Sequence, residues 1–402
     1  MRRGRAKKFL LIGSPLLIIL LNFFLNWPLI RLSSISAGFN FADLLSTLSS
    51  IDCYREIGFD VYSSSNSGYC GNYIYGRELL QVVSQFPIYP RHSELIGTFA
   101  IIVFGTISGL FIFAVTKPKT TNFFFAFFLI ASPGISLLLE RGNIDVFMII
   151  GIFLAARLMS MNQGNLSIIL LSILTIFKFY TLPLLLIVVL LQPIRMKKVF
   201  GFSVLVVTTL LSLGSISQIQ SGFPEGGYAQ FGLNIIGNYL RRGLNLEVTH
   251  IQGRLIGYVS LILLIIVIGY FVRSNEIQGT LIIKKSKVNL FGMYSIIVFL
   301  TCYITGLSYD YRLPFLIFGS LWILNTLKME KFLRIALHLL VGIACWCSTG
   351  LGAALFPLNE FWQRYFVLGA QSLGDLSIWI LAGFYITLIF ENLNFRLRLR
   401  YL

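Results

Sequence analysis

Charged residues are scarce in this sequence. They make up 12% of 402 residues, whereas 56% are hydrophobic, and a soluble domain carries about 25% charged residues. The scarcity excludes an ordinary soluble domain and favours a protein whose surface faces lipid. The charges that remain are unbalanced, with 32 Lys and Arg against 16 Asp and Glu.

Several catalytic signatures are also missing. The three histidines, His92, His250 and His338, are scattered, which disfavours a metal site or a His-based acyltransferase. No Gly-rich phosphate loop ends in Lys, so a nucleotide-driven pump is not indicated. Without a G-x-S-x-G frame a serine hydrolase is not indicated either. There is no D-x-D, which argues against a soluble-type, metal- and nucleotide-sugar-dependent glycosyltransferase. We predict neither a metal nor a cofactor.

Long apolar runs fill most of the chain. A membrane-spanning helix needs about 20 mainly apolar residues, and runs of comparable character recur to the C-terminus. We predict a single all-α membrane domain over 1–402 with about twelve transmembrane helices. The predicted spans are 9–31, 96–116, 123–138, 144–158, 167–178, 180–192, 199–217, 255–273, 288–306, 313–327, 335–354 and 375–391. The fifth and sixth are predicted to be broken around Lys178 and Pro183.

The loop charges predict an orientation. With the N-terminus in the cytoplasm, 21 of the 32 basic residues fall on the inner side, while 13 of the 16 acidic residues lie outside or at the outer edge. Cytoplasmic loops carry the excess of Lys and Arg, so both tails, 1–8 and 392–402, are predicted to be cytoplasmic. The loop 32–95, the longest polar segment, is then outside and carries short helices. The net charge of +16 sits in small loops without interleaved aromatics, so we expect no nucleic-acid partner.

Four clusters of ionisable residues lie at the outer ends of these spans. Ionisable groups at membrane depth are costly and are functional candidates, and together these clusters suit an anionic substrate and a general base. The alternative is that charges at helix ends only mark the membrane boundary. The candidates are Asp43; Glu140, Arg141, Asn143 and Asp145; Lys178 and Tyr180; and Asp310, Tyr311 and Arg312.

The first outer loop contains two cysteines, Cys53 and Cys70. In an oxidising compartment such a pair is a candidate disulfide, and two free thiols are the alternative. Cys302, Cys345 and Cys347 lie in or beside apolar spans and are expected to fill space there.

The order of these motifs resembles a known family. The segments FADLLSTLSSIDCYREIGFDVY, ERGNIDVFMIIGIFLAARL, KFYTLPLLL and SYDYRLPFL are similar to motifs of GT-C class glycosyltransferases. They most resemble the bacterial polyprenol-phosphate-mannose-dependent alpha-mannosyltransferases. The resemblance covers most of residues 35–320. This chain departs from it at Val61, Gly76 and Thr181, where the family often has another residue.

The resemblance implies a membrane enzyme of GT-C-like fold. With the charge pattern, it predicts a location in a bacterial inner membrane with the active site on the outer face. It implies transfer of a mannose-like hexose from a polyprenyl-phosphate carrier to a glycan or lipid acceptor. Asp43 matches the family's general base, and Asp52 is the second choice. A phosphate-bearing donor needs cations, for which Lys178, Arg141 and Arg312 are the candidates and Arg241 and Arg242 further ones.

Two other functions fit parts of the pattern. A transporter or flippase of lipid-linked sugars would also have many spans, but transporters usually show two related halves, and none is visible here. A polysaccharide polymerase or ligase would typically carry its largest outer loop late in the chain, whereas here it comes first.

Overall fold

A computed structural model gives the architecture of the chain. It describes residues 41–57, 77–116, 120–192, 195–219, 249–274, 286–305, 312–327, 329–347 and 360–400, together with the isolated positions 13, 17, 61, 230–231, 247 and 308–309.

Helices account for nearly all regular structure in these residues, which confirms the all-α part of the predicted fold class. The helices up to Leu190 are α1 (Ala42–Ile57), α2 (Arg77–Ser84), α3 (Ser93–Thr116), α4 (Thr120–Ile130), α5 (Pro133–Arg141), α6 (Asp145–Ser160), α7 (Gly164–Phe177) and α8 (Leu182–Leu190). The helices that follow are α9 (Arg195–Ile219), α10 (His250–Ser274), α11 (Lys287–Ile304), α12 (Leu313–Thr326), α13 (Lys331–Cys347) and α14 (Glu360–Arg400). Short 3₁₀ helices cover Pro90–His92 and Phe179–Thr181. The strands β1 (Gln230–Phe231) and β2 (Ser308–Tyr309) form one antiparallel pair.

The chain divides into two compact units. The first contains Met1–Phe111, Ser136–Glu225 and Lys285–Tyr294, and the second contains Ile112–Ile135, Gly226–Lys284 and Ser295–Leu402. The cluster of ion pairs described below belongs to the first unit, whereas Arg312 belongs to the second. The prediction of one membrane domain over the whole chain stays a prediction.

In the first unit, α6 and α7 form a tight antiparallel pair. A Cβ added at Gly151 of α6 would lie 2.8 Å from the Leu174 side chain of α7, so the helices approach closely only because that position lacks a side chain. The Ser167 hydroxyl donates to the Ala155 carbonyl at 2.9 Å. This pairing brings the N-terminus of α6 beside the C-terminus of α7.

In the second unit, polar side chains join helices that are otherwise apolar. Asn122 of α4 donates to Asn325 of α12 at 2.7 Å. The Trp346 indole of α13 stacks on Phe128 and donates to its carbonyl at 3.0 Å. Polar groups in apolar surroundings are expected to be paired in this way, because an unmade hydrogen bond is costly there.

Several described helices are long and apolar enough to cross a membrane. Four of them qualify by length and composition, Pro90–Thr116, Ile251–Tyr270, Lys287–Ile304 and Gly369–Phe390, and a pair bent by 43°, Asn122–Ile130 with Pro133–Arg141, would make a fifth. Three shorter apolar helices are Gly164–Phe177, Phe179–Leu190 and Leu313–Thr326. The chain therefore has the character of a membrane protein. The figure of twelve spans stays a prediction, and the first predicted span, 9–31, lies almost entirely outside the described residues.

The predicted break between the fifth and sixth spans is confirmed. Helix α7 ends at Phe177, Lys178 is extended (φ −147°, ψ 107°), and a 3₁₀ turn leads into α8. Pro183 lies in the first turn of α8, where the missing N–H of proline has no helical partner to lose. The break places Lys178 at the end of a helix.

Candidate functional site

The site begins at the end of helix α5, where the chain turns sharply. Gly142 has φ +58°, a conformation that glycine adopts without the Cβ penalty. The Gly142 N–H donates to the Leu139 carbonyl and the Asn143 N–H to the Leu138 carbonyl. These two bonds form a Schellman cap, which satisfies carbonyls that a helix end otherwise leaves without partners. The cap fixes Arg141 and Asn143 on either side of the glycine.

Helix α1 starts against this turn. The Phe41 N–H, just before α1, donates to the Glu140 carbonyl at 2.6 Å. The Phe41 ring is buried over Gly97 and Gly142, and a Cβ at either glycine would lie under 3 Å from it. Phe41 itself has φ 61°, which is uncommon for a residue other than glycine. The start of α1 is therefore seated directly on the end of α5.

This seating brings Asp43 to Arg141. Arg141 donates to Asp43 Oδ1 from Nε at 2.8 Å and from Nη2 at 2.5 Å. Asn143 Nδ2 donates to the other oxygen, Oδ2, at 2.6 Å. The Asp43 and Arg141 side chains are 16% and 29% exposed. The carboxylate is thus held through both oxygens and still reaches solvent.

Asn143 joins this ion pair to a second one. Its Oδ1 accepts from the Asp145 backbone N–H at 3.0 Å and from Lys178 Nζ at 3.2 Å. Because two donors hold the amide oxygen, the amide nitrogen is left to face Asp43. The orientation of Asn143 is therefore set by Lys178 and by the start of α6.

The second ion pair is buried. Lys178 Nζ lies 2.8 Å from Asp145 Oδ1, with side-chain exposures of 8% and 0%. The Tyr180 hydroxyl donates to the same carboxylate oxygen. Buried charges are tolerated when they are paired and hydrogen-bonded, and here both conditions are met.

Both pairs follow the same electrostatic pattern. Asp43 and Asp145 lie in the first turns of α1 and α6, whereas Arg141 is in the last turn of α5 and Lys178 follows the last residue of α7. Helix N-termini favour negative charge and C-termini favour positive charge. Each ion pair therefore also joins two helix ends of complementary charge.

The structure brings six predicted residues into this cluster: Asp43, Arg141, Asn143, Asp145, Lys178 and Tyr180. Glu140 is buried beside them and contributes its carbonyl to Phe41. Arg312 is half-buried at the start of α12 in the second unit. Asp310 and Tyr311 lie outside the described residues, as do Arg241 and Arg242. The roles predicted for Arg312, Asp310, Tyr311, Arg241 and Arg242 stay predictions.

The predicted disulfide is described on one side only. Cys53 is buried in α1 and is disulfide-bonded. Cys70 lies outside the described residues, so the pairing of Cys53 with Cys70 stays a prediction. Cys302 and Cys345 are free and buried, and Cys347 is free and half-buried.

Sequence reasoning missed two contributors to the site, Phe41 and Gly142. Gly142 had a usable signal, because a glycine directly after a helical segment is typical of a left-handed cap. Phe41 had none, since its role depends on meeting Gly97 from another helix. Among the described residues, no group of three or more His, Cys, Asp or Glu side chains could hold a metal ion.

Asp52, the second candidate for the base, lies away from the cluster. It is nine residues after Asp43 on one helix, which places it about half a turn round and about 14 Å along the axis. Its carboxylate pairs with Arg55 at 2.8 Å. Arg55 also donates to the Ser84, Phe86 and Ile88 carbonyls, so this pair anchors the segment after α2.

Asp52→Asn should therefore leave catalytic turnover within about twofold of the wild type, because its carboxylate pairs with Arg55 away from the cluster. The measurement is the initial rate of the transfer reaction proposed below, at saturating substrates. A loss as large as that of an Asp43 variant would move the catalytic role to Asp52.

Gly142→Ala should lower stability by about 1–3 kcal/mol, because alanine is strained at positive φ. Its Cβ would also lie 2.8 Å from the Phe41 ring. Thermal unfolding in detergent measures the effect. Gly369→Ala is the matched control: its Cβ would meet nothing within 4 Å, and alanine favours a helix interior. Equal melting temperatures for the two variants would contradict the description of this turn.

The described residues form a helical protein in which several helices are long and apolar enough to cross a membrane, and they include a cluster of two linked ion pairs. No protein-family model, curated protein or solved structure matches this chain.

Proposed function

We propose that this protein is a membrane glycosyltransferase that uses a polyprenyl-phosphate-linked hexose, mannose-like, as its donor. The acceptor is a hydroxyl group of a glycan or a lipid. The observation that carries the proposal is the Asp43 carboxylate, fixed through both oxygens by Arg141 and Asn143 yet 16% exposed. A general base must be positioned and must reach its substrate, and Asp43 meets both requirements.

The proposed reaction is a single displacement. The acceptor oxygen forms a bond to the anomeric carbon of the sugar, and its proton passes to Asp43. The bond from the anomeric carbon to the phosphate oxygen breaks, and its electron pair stays on that oxygen. Polyprenyl phosphate leaves with one more negative charge than it carried in the donor, so a nearby cation stabilises the transition state.

Arg141 is the cation of the cluster best placed for the leaving phosphate. Its side chain is 29% exposed, whereas that of Lys178 is 8% exposed and lies on Asp145. A guanidinium also matches phosphate oxygens better than an ammonium group does. We therefore propose that Arg141 binds the leaving phosphate. Lys178 and Asp145 have a supporting role, because they hold Asn143 in place.

The surrounding protein suits a lipid-linked donor. The cluster lies at the ends of α1, α5, α6 and α7. Of these, α7 is a short apolar helix and α5 belongs to the bent pair that could form one span, so apolar surface for a polyprenyl tail adjoins the cations for its phosphate. The proposal includes about twelve spans in a GT-C-like arrangement, cytoplasmic termini, and a site on the outer face of a bacterial inner membrane, as the loop charges predict.

The test is transfer by purified protein. The full chain in detergent is incubated with radiolabelled polyprenyl-phosphate mannose and a panel of glycan and lipid acceptors. We expect covalently labelled acceptor from the wild type and, from Asp43→Asn, a rate of labelling lower by about 10²–10⁴-fold. A protein that moves the labelled lipid across a vesicle membrane without labelling any acceptor would instead be a transporter or flippase.

A further inference from the structure

The two ion pairs of the cluster differ in how well each cation is matched to its carboxylate. Arg141 directs both its Nε and its Nη2 at the single oxygen Oδ1 of Asp43, because Asn143 holds Oδ2. The stronger arrangement for a guanidinium is two parallel bonds to two oxygens of one group. A phosphate ester offers at least two such oxygens, so it is a better-matched partner for Arg141 than Asp43 is.

The same pair is also the one that a ligand can reach. The Arg141 and Asp43 side chains are 29% and 16% exposed, while those of Lys178 and Asp145 are 8% and 0% exposed. A ligand anion can compete for Arg141 without entering the buried pair. Because this pair is only part-buried, exchanging it costs less than breaking the buried Lys178–Asp145 pair would.

The remaining contacts would keep Asp43 in place after such an exchange. Asn143 Nδ2 holds Asp43 Oδ2 at 2.6 Å, and Lys178 holds the Asn143 amide oxygen at 3.2 Å. None of these contacts involves Arg141. Loss of the guanidinium would therefore open Oδ1 to a new donor while the carboxylate stays anchored.

We infer that Arg141 exchanges partners, binding Asp43 in the ligand-free protein and the phosphate of a phosphate-ester ligand in the complex. The ligand class, a lipid-linked phosphate, rests on the proposed function. The exchange uncovers Asp43 Oδ1 for the acceptor hydroxyl only after the phosphate is bound. It therefore implies an order in which donor binds before acceptor.

The exchange predicts that replacing one residue of the cluster tightens the binding of the ligand. Asp43→Asn should bind polyprenyl phosphate, which carries no sugar, more tightly than the wild type by about fivefold, because the ligand no longer competes with a carboxylate for Arg141. Arg141→Met should bind it at least about tenfold more weakly. When both substitutions are combined, Asp43→Asn should no longer tighten binding appreciably relative to Arg141→Met alone, since no guanidinium remains to be released.

Equilibrium binding of fluorescent polyprenyl phosphate to the full-length proteins in detergent measures these effects, with melting temperatures as the check on folding. If Arg141→Met does not fold, Arg141→Lys replaces it. Weaker binding of polyprenyl phosphate is again expected, because lysine lacks the two parallel N–H donors of the guanidinium. Equal or weaker binding by Asp43→Asn would overturn the exchange. The exchange would also be overturned if Asp43→Asn tightened polyprenyl-phosphate binding equally in a protein that already carries the Arg141 substitution. The tighter binding would then be explained by the loss of charge repulsion alone.

Inorganic phosphate distinguishes the source of the ligand. It should not compete measurably at concentrations where polyprenyl phosphate saturates the protein, and equally effective competition would contradict a lipid ligand. Because binding is measured without a sugar donor, the two proposals can fail separately. If Asp43→Asn binds polyprenyl phosphate more tightly but the wild type transfers no sugar, the partner exchange is supported and the proposed function is wrong. If the wild type transfers sugar but Asp43→Asn binds polyprenyl phosphate no more tightly, only the partner exchange is wrong.

Discussion

Replacing Asp43 by Asn should lower the rate of sugar transfer by about 10²–10⁴-fold, which is the usual contribution of a general base. The amide cannot take the acceptor proton, but it is nearly the same size as the carboxylate. The lost ion pair is partly exposed, with Arg141 29% and Asp43 16% accessible, so stability should fall by no more than about 1 kcal/mol. The prediction is therefore a large kinetic effect in a folded protein.

The control for Asp43→Asn is the melting temperature, together with the rate of Asp52→Asn. Asp43 is the second residue of α1, so it does not occupy the N-cap position. Its side chain instead accepts hydrogen bonds from Arg141 and Asn143. If Asp43 served only the helix terminus, Asn would serve equally well. A wild-type rate for Asp43→Asn would therefore contradict its assignment as the base.

Replacing Lys178 by Met should destabilise the protein by about 3–5 kcal/mol, because it removes the cation from a buried carboxylate. Asp145 is 0% exposed and Lys178 Nζ lies 2.8 Å from it. Thermal unfolding in detergent, or the yield of monodisperse protein, measures the loss. Lys331→Met, which changes an exposed lysine in α13, should shift stability by no more than about 0.5 kcal/mol.

A double variant separates charge from packing at this position. Lys178→Met with Asp145→Asn removes both buried charges, so it should recover most of the stability lost in Lys178→Met. Transfer activity should recover less, because the ammonium group that orients Asn143 is still missing. A double variant as unstable as Lys178→Met would show that the lysine side chain contributes through packing and not through its charge.

The helices were largely predictable because apolar runs are a local property of the sequence. The third predicted span, 123–138, nevertheless falls across two helices, α4 and α5, with a bend of 43° between them. Pro133 begins α5, and the residue before a proline disfavours helical backbone, so the signal for this break was present. Helix α14 runs from Glu360 to Arg400, well beyond the predicted span 375–391.

The candidate site was predictable as a set of residues but not as a set of pairs. Arg141 and Lys178 were expected to face a donor phosphate, and the structure places each on a carboxylate. Which cation meets which carboxylate depends on which helix ends adjoin. The Arg141–Asp43 pair depends on Phe41 packing over Gly97 and Gly142, and the Lys178–Asp145 pair depends on the close approach of α6 and α7 at Gly151. Such contacts between distant segments leave no local pattern in a single sequence.

We propose that Asp43 activates an acceptor hydroxyl for attack on a polyprenyl-phosphate sugar. The most direct measurement is the release of polyprenyl phosphate from its mannose ester by the purified wild type and by Asp43→Asn, with and without acceptor. We expect release that depends on the acceptor in the wild type and falls by about 10²–10⁴-fold in the variant. Release that is independent of acceptor, or equal in the two proteins, would contradict it.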